Sequence, residues 1–580
     1  MGQPGYPALG GGATAAPDGA CYSDILVASP ALGVLFVCFT AAASAQSSVL
    51  LDTMSEELNR NFSTLKAKAD PAPYFLSYEV TEDDFHGVAA TLGAITSNGQ
   101  GKSRRLDVCL RVGSPKLDNY HRVRGERPQF TSGAPLTFED QPASIKHRIW
   151  LETDRAYRLA AERLIKIRTN SQVKVAEQDA SSDFSREEPV VRLETVPHGR
   201  FAADWAARVR KLSGKFGDYP GILTSSVIVT YQEETKYFVS SEGTRLRHGR
   251  GFARVVVSAQ AKDLDGTDLT TGETFEATDP GSLPRDEVIA AAIERVAQDL
   301  KALLIAPEAQ PFAGPAIFSG RAAGVFFHEI FGHRVEGHRQ KDEEEGQTFT
   351  KSVGAKVLPD FLSVVFDPTR KKAGSIELNG AYSYDDEGIA ARPVTVVENG
   401  VLKAFLMSRS PIQGFDHSNG HGRRQPGFEV VSRQSNLFVE SSRTVPEARL
   451  REMLVEEIKR QNKPYGLYFR DVTGGVTNTG RQGVQAFKVI PIVVYKVYPD
   501  GRSDELIRGA DIVGTPLASF GKILATSDRP QVFNGYCGAE SGSVPVSAVS
   551  PALLVSEIEI EKKNKSQDRP PLLPFPMEGR

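Results

Sequence analysis

The stretch from Gly324 to His338 restricts the fold more than any other part of the sequence. Ala322, Ala323, Gly324, Val325, Phe326 and Phe327 are apolar on every side of a helix, so that helix must sit inside a larger core. It ends in His328 and Glu329, and a polar pair at the end of a buried helix needs hydrogen-bond partners or a metal ion. A second imidazole, His333, follows five residues after the first. Neutral imidazoles bind zinc, and a carboxylate beside one can deprotonate a metal-coordinated water. The familiar zinc-peptidase pattern spaces its histidines by four, which keeps both rings on one helix face. A spacing of five turns them about 140° apart on a regular helix. The rings converge only if the helix is distorted, for instance by a π-bulge at Gly332, or ends between them. The competing reading is an amphipathic helix whose histidines pair with Glu329 and Glu336. Five of the ten histidines fall between 328 and 421, which favours a site.

The chain has 580 residues, enough for two to four domains. A net charge of −3 gives no footprint for nucleic acid. Four cysteines, at 21, 38, 109 and 537, make no disulfide framework. Ile25 to Thr40 is mostly apolar and runs into Ala41-Ala42-Ala43-Ser44-Ala45, which reads as a signal peptide cleaved after Ala45. The run is too short for a stable membrane span. Export to the periplasm or the extracellular side is the expectation. No basic residue precedes Arg60, and Asp18 and Asp24 precede the apolar run, so a cytoplasmic protein with an unstructured leader is the alternative.

The pattern is α+β in two domains: a mixed α/β N-terminal domain, 46–308, and a β-rich catalytic domain, 309–562, that holds the metal-binding helix. The leader is 1–45 and the tail 563–580. Helical periodicity marks Ser48–Lys66, Ile145–Ile167, Asp204–Lys215, Asp286–Leu304 and Glu447–Gln461. Strands are expected at Tyr74–Val80, Val88–Thr96 and Arg104–Val112, with Cys109 as a small buried residue. A hairpin is expected with its turn between Glu234 and Thr235. Further strands fall at Phe252–Ala261, Ala316–Gly320, Phe361–Phe366, Val394–Val397, Leu402–Met407, Lys488–Tyr498 and Leu553–Ile560. Asn399-Gly400 is a strong hairpin signal. Residues 170–200 and the charge run Lys341–Gly346 read as solvated surface.

Catalytic zinc takes three protein ligands and a water. His338, His417, His421, Glu336 and Cys537 are the candidates for the third, Cys537 lying on what reads as a Gly/Ser-rich loop. Spacing does not choose among them.

The second half resembles the TldD/PmbA family of metalloproteases over about 310–562. The likeness rests on separated motifs in order. These are Gly324 with His328-Glu329, Gly332-His333 and Glu336-Gly337; Tyr384-Asp385-Asp386-Glu387-Gly388; and Glu398 to Lys403. Asn419 to Arg424 follows, and the series closes with Cys537-Gly538 and Ser541 to Val546. The resemblance implies His328, His333 and Cys537 as metal ligands, with Zn2+ suited to the mixed nitrogen and sulfur set. It implies Glu329 as general base and a TldD-like, catalytic type of chain. It also implies peptide hydrolysis in extended or unfolded polypeptides and a homodimer or a heterodimer with a paralogue. His338 stands where the family often has an acidic residue, so an additional ligand or proton donor is open there. His421 and Arg423-Arg424 are read either near substrate or as exposed loop charges. The alternatives are a non-catalytic partner subunit of a TldD/TldE-type complex, a zinc hydrolase of a non-peptide amide, and a structural protein with inert histidines.

Overall fold

The computed structural model describes residues 48–171, 179–481, 487–514, 519–565, 568–571 and 573. The expected leader lies outside them, as does part of the tail. The described residues form one compact unit. The fold is α+β, with seven α-helices and two large sheets among the described residues.

The first sheet has eight strands and is built on two long hairpins, Pro73–Thr91 with Ala94–Ser114 and Thr224–Ser240 with Arg245–Lys262. Pro73–Thr91 pairs antiparallel with Thr224–Ser240, which joins the hairpins, and Asp268–Ala277 extends the far edge. Two pairs of helices cover this sheet. Leu50, Met54 and Leu58 of Val49–Lys68 share a core with Ile145 and Ile149 of Pro142–Ser171. Trp205 and Val209 of Trp205–Ser213 share another with Ile289, Ile293 and Leu300 of Asp286–Ile305. Ser48 caps the first helix, its hydroxyl accepting from the Leu51 N–H at 3.4 Å.

The second sheet has twelve strands and is mixed. Its axis is Gly542–Lys562, which pairs antiparallel with Ile523–Ala539, Phe312–Phe318 and Ala510–Gly514, and parallel with Asn436–Ser441. The helix Gly320–Ile330 lies on this sheet. Ser319 starts it by accepting the Ala322 N–H at 3.2 Å. Phe326, Phe327, Phe331 and Phe318 form the centre of the core. Each fully buried phenylalanine contributes on the order of 2 kcal/mol from area removed from water.

Several expectations change. The strands expected around 74–112 are the two arms of one hairpin, turning at Leu92 and Gly93, both at positive φ. Polar Thr81–Asp84 does not end the strand, because it pairs with Lys102–Arg105 on one side and Glu233–Lys236 on the other. The second turn falls at Ser241–Thr244, not between Glu234 and Thr235, and Gly243 supplies φ +105° there. Leu402 ends its strand, so the one expected to Met407 is two residues long. Cys109 is half-buried. Part of 170–200 is interior: Phe184 stacks between the Arg111 and Arg409 guanidiniums. Within the 341–346 charge run Glu345 is buried, paired with Arg339 at 2.8 Å.

Candidate metal centre

The helix ends between its two histidines. Ile330 is its last residue, and Gly332–Val335 continues as a 3-10 turn. The change of pitch, with no π-bulge, swings His333 back towards His328. Their ring centroids are 5.1 Å apart at an interplanar angle of 81°. Gly332 is required for space: a Cβ there would stand 1.9 Å from the Gln434 amide oxygen. Arg334 closes the helix end, Nη1 donating to the carbonyls of Glu329 at 3.1 Å and Ile330 at 3.0 Å and to Thr477 Oγ1 at 3.0 Å.

Cys537 arrives from the second sheet. It sits in the strand Ile523–Ala539 opposite Val544, not on a loop. One donor atom from each of His328, His333 and Cys537 lies within 4.8 Å of the others. Cys537 Sγ is 3.4 Å from His333 Nε2. Nitrogen and sulfur ligands of a tetrahedral zinc are about 3.5 Å apart at ordinary bond lengths. The donor set therefore fits a zinc ion. Burial opposes the Cys537 thiolate, but the His333 and His328 imidazoles outweigh it and hold the thiol well below its usual range. Burial likewise opposes a charged His333, and Cys537 with Glu336 outweighs it and pushes the ring up.

A polar frame fixes the donors. Glu336, fully buried, meets His333 Nδ1 at 3.2 Å and accepts from Arg339 Nε at 2.8 Å. Arg433 Nε stands 3.5 Å from the other Glu336 oxygen. Arg433 also donates to the Cys537 carbonyl at 2.5 Å, to Ser541 Oγ at 2.7 Å and to the Gly542 carbonyl at 3.0 Å. One guanidinium therefore ties the cysteine strand to the carboxylate that orients His333. Gln434 Nε2 donates to the His328 carbonyl at 3.2 Å.

Glu329 lies beside this group, 4.0 Å from His333 Nε2. Burial raises its pKa, with His328 and His333 acting against the rise. Room for it comes from Gly475, where a Cβ would stand 2.5 Å from Glu329 Cγ. Glu329 and His328 line a cleft of about 380 Å³ with Gly474, Arg254 and Arg321.

His338 is placed differently from the open reading. Its Nε2 bonds Glu540, which also takes Arg339 Nη2 at 3.0 Å, so it acts at the outer end of the frame. His421, Arg423 and Arg424 are buried and not loop charges; His421 Nε2 is bonded to Ser435 Oγ at 3.1 Å. His417 lies on the surface near Glu187. The sequence did not single out Arg433 or Gln434, which have no motif near them.

Fold and site together define a two-sheet α+β protein with a buried His-His-Cys cluster beside a carboxylate. Residues 313–562 match the PmbA/TldA metallopeptidase C-terminal domain. A metalloprotease of Methanocaldococcus jannaschii is 27% identical over 328 residues, 55% of this chain and 66% of that protein. A metalloprotease of Methanothermobacter thermautotrophicus is 25% identical over 466 residues, 79% of this chain and 96% of that protein. Among solved structures, TldE of Thermococcus kodakarensis superposes with a TM-score of 0.56 at 13% identity, covering 88% of this chain and 100% of that one. At that identity the likeness establishes the fold alone.

Proposed function

We propose that this chain is a zinc-dependent metallopeptidase that hydrolyses peptide bonds in extended or unfolded polypeptides. The observation that carries the reading is the convergence of His328, His333 and Cys537 from two separate elements onto one point beside the Glu329 carboxylate. His328, His333 and Cys537 are the residues that would hold the ion. Bound there, zinc supplies a water of lowered pKa and a Lewis acid for the peptide carbonyl. Glu329 takes the proton of the attacking water and returns it to the leaving amine. Its raised pKa brings it closer to the proton affinity such a shuttle needs. Glu336 and Arg433 hold His333 and the Cys537 backbone in register and keep His333 oriented with Nε2 towards Cys537.

We take this chain to pair with itself or with a paralogue. The retained His-His-Cys set and Glu329 favour the catalytic over the partner role. No helix among the described residues is long and apolar enough to cross a membrane. We take the mature chain to begin near Gln46 after export, and to divide near residue 308 into a supporting and a catalytic domain.

The test is hydrolysis of an unstructured peptide by the zinc-loaded chain beside Glu329→Gln. The expected result is a loss of about 10²- to 10⁴-fold in kcat with zinc content unchanged. Equal rates would remove Glu329 from the mechanism. A folded, zinc-loaded wild type without activity would contradict the peptidase reading of the isolated chain.

A further inference from the structure

A cavity of about 590 Å³ lies apart from the catalytic cleft. It opens between the first sheet, at Lys236 and His248, and the loops Tyr382–Asp386 and Arg423–Phe428. Tyr536, next to the ligand Cys537, lines both this cavity and the catalytic cleft. A chain crossing the cleft can therefore reach it past one exposed tyrosine ring.

The charges lining it are unevenly matched. Lys236 is paired with Asp386, and Arg424 lies 3.3 Å from Glu79. Arg423 has no such partner. It is 7% exposed and gives only Nη1 to protein acceptors, the carbonyls of Gln434 at 2.6 Å and Pro545 at 2.8 Å. Its guanidinium lies 4.7 Å from the Tyr382 ring centroid, and no carboxylate among the described residues is within ion-pair distance. Arg250, on the same cavity, donates Nη1 to the Asn379 carbonyl and to Asn379 Oδ1 at 3.1 Å, and its approach to a carboxylate is a loose 3.9 Å to Glu234. His248 is 5% exposed, and among the described residues its ring stands edge-on to Tyr384 without a hydrogen-bond partner. A buried guanidinium with a free edge is costly unless an anion completes it, and a planar carboxylate matches its fork. Asp83 and Glu234 stand elsewhere on the wall, which disfavours a multiply charged anion such as phosphate.

We infer that this cavity binds a carboxylate of the peptide substrate, with Arg423 as its counter-ion and His248 and Arg250 beside it. The carboxylate comes from the peptide C-terminus or from an acidic side chain on the segment that passes Tyr536. The inference rests on the peptidase reading for its substrate, and it makes Arg423 a specificity determinant remote from the metal.

The test compares one unstructured peptide in three forms: free C-terminus, C-terminal amide, and amide carrying a glutamate near its end. KM and kcat are measured for wild type and Arg423→Gln, and Kd by fluorescence anisotropy for the zinc-loaded Glu329→Gln protein. The free acid is expected to bind at least about tenfold more tightly than the plain amide, seen in KM and Kd with kcat little changed. Arg423→Gln is expected to erase that preference. Tighter binding of the glutamate-bearing amide assigns the site to side chains as well; its failure to bind better assigns it to the terminus. If Arg423→Gln does not fold, Arg250→Gln is expected to reduce the same preference. Equal affinity of all three forms for the wild type overturns the inference while leaving the peptidase reading intact. A carboxylate preference in Kd from a protein that hydrolyses nothing sustains the cavity and overturns the peptidase.

Discussion

The first sheet and the layer of loops around His328, His333 and Cys537 are both well buried, but by different physics. In the sheet, Val227, Val229, Val255 and Val257 pack under Ile289, Ile293 and Leu300, and stability follows area removed from water. Around that cluster, Glu336, Arg339, Arg433 and Glu345 are buried as charges paired with one another. Removing a methyl group from the sheet leaves a cavity; removing one partner from the frame leaves a buried charge. The comparison teaches that the sheet is a platform tolerant of graded change, while the frame fixes donor positions and fails abruptly.

Changes at matched burial break or sharpen this contrast. Arg433→Met strands Glu336 and frees the Cys537 strand. It is expected to cost about 3–5 kcal/mol in denaturant unfolding and to weaken zinc affinity about 10- to 100-fold in a chelator competition. Leu300→Ala, in the helix over the first sheet, is expected to cost about 2–5 kcal/mol with zinc affinity unchanged. If it weakened zinc as much as Arg433→Met, the two regions would not be separable.

Acid offers a graded perturbation. Burial holds His421 down to about 3 and His248 down to about 4. Both stay neutral in the fold while the unfolded chain takes up protons below about pH 6.5. Stability is therefore fully present above that pH and falls as pH drops towards the folded values. The slope is roughly 1.4 kcal/mol per pH unit for each such histidine. Melting temperatures between pH 7 and 4.5 should show it, and His421→Asn should flatten the curve. The smallest effect concerns the start of the metal helix. Ser319→Ala removes the cap on Ala322 and is expected to cost about 1 kcal/mol, with zinc affinity preserved because the histidines lie at the other end.

The sequence was most legible where one period dominates. Asp286–Ile305 and Glu447–Arg460 are one-sided helices, and Asn399-Gly400 is a turn with a stated conformation, φ +48° and +81°. It misled where polar residues sit inside long strands. Thr81–Asp84 and Glu233–Lys236 face each other across neighbouring strands, and their charges are met elsewhere, Glu82 by Arg104, Asp84 by Lys102 and Lys236 by Asp386. Cys537 read as a loop residue because glycines flank it, whereas a hairpin to Val544 holds it. At the site, His328, Glu329 and His333 announced themselves by their helix. The cysteine entered through the resemblance. Arg433 was invisible, because its partners Glu336 and Cys537 lie about a hundred residues away on either side and no local pattern encodes such a meeting.

The central claim is that His328, His333 and Cys537 hold one zinc ion. Its most direct test is zinc stoichiometry and affinity for the purified chain beside Cys537→Ser, both confirmed folded by near-UV circular dichroism. One zinc per wild-type chain is expected, with an affinity lower by at least about 100-fold in Cys537→Ser, because serine is not a thiolate at neutral pH. Equal zinc binding by the two proteins would contradict it.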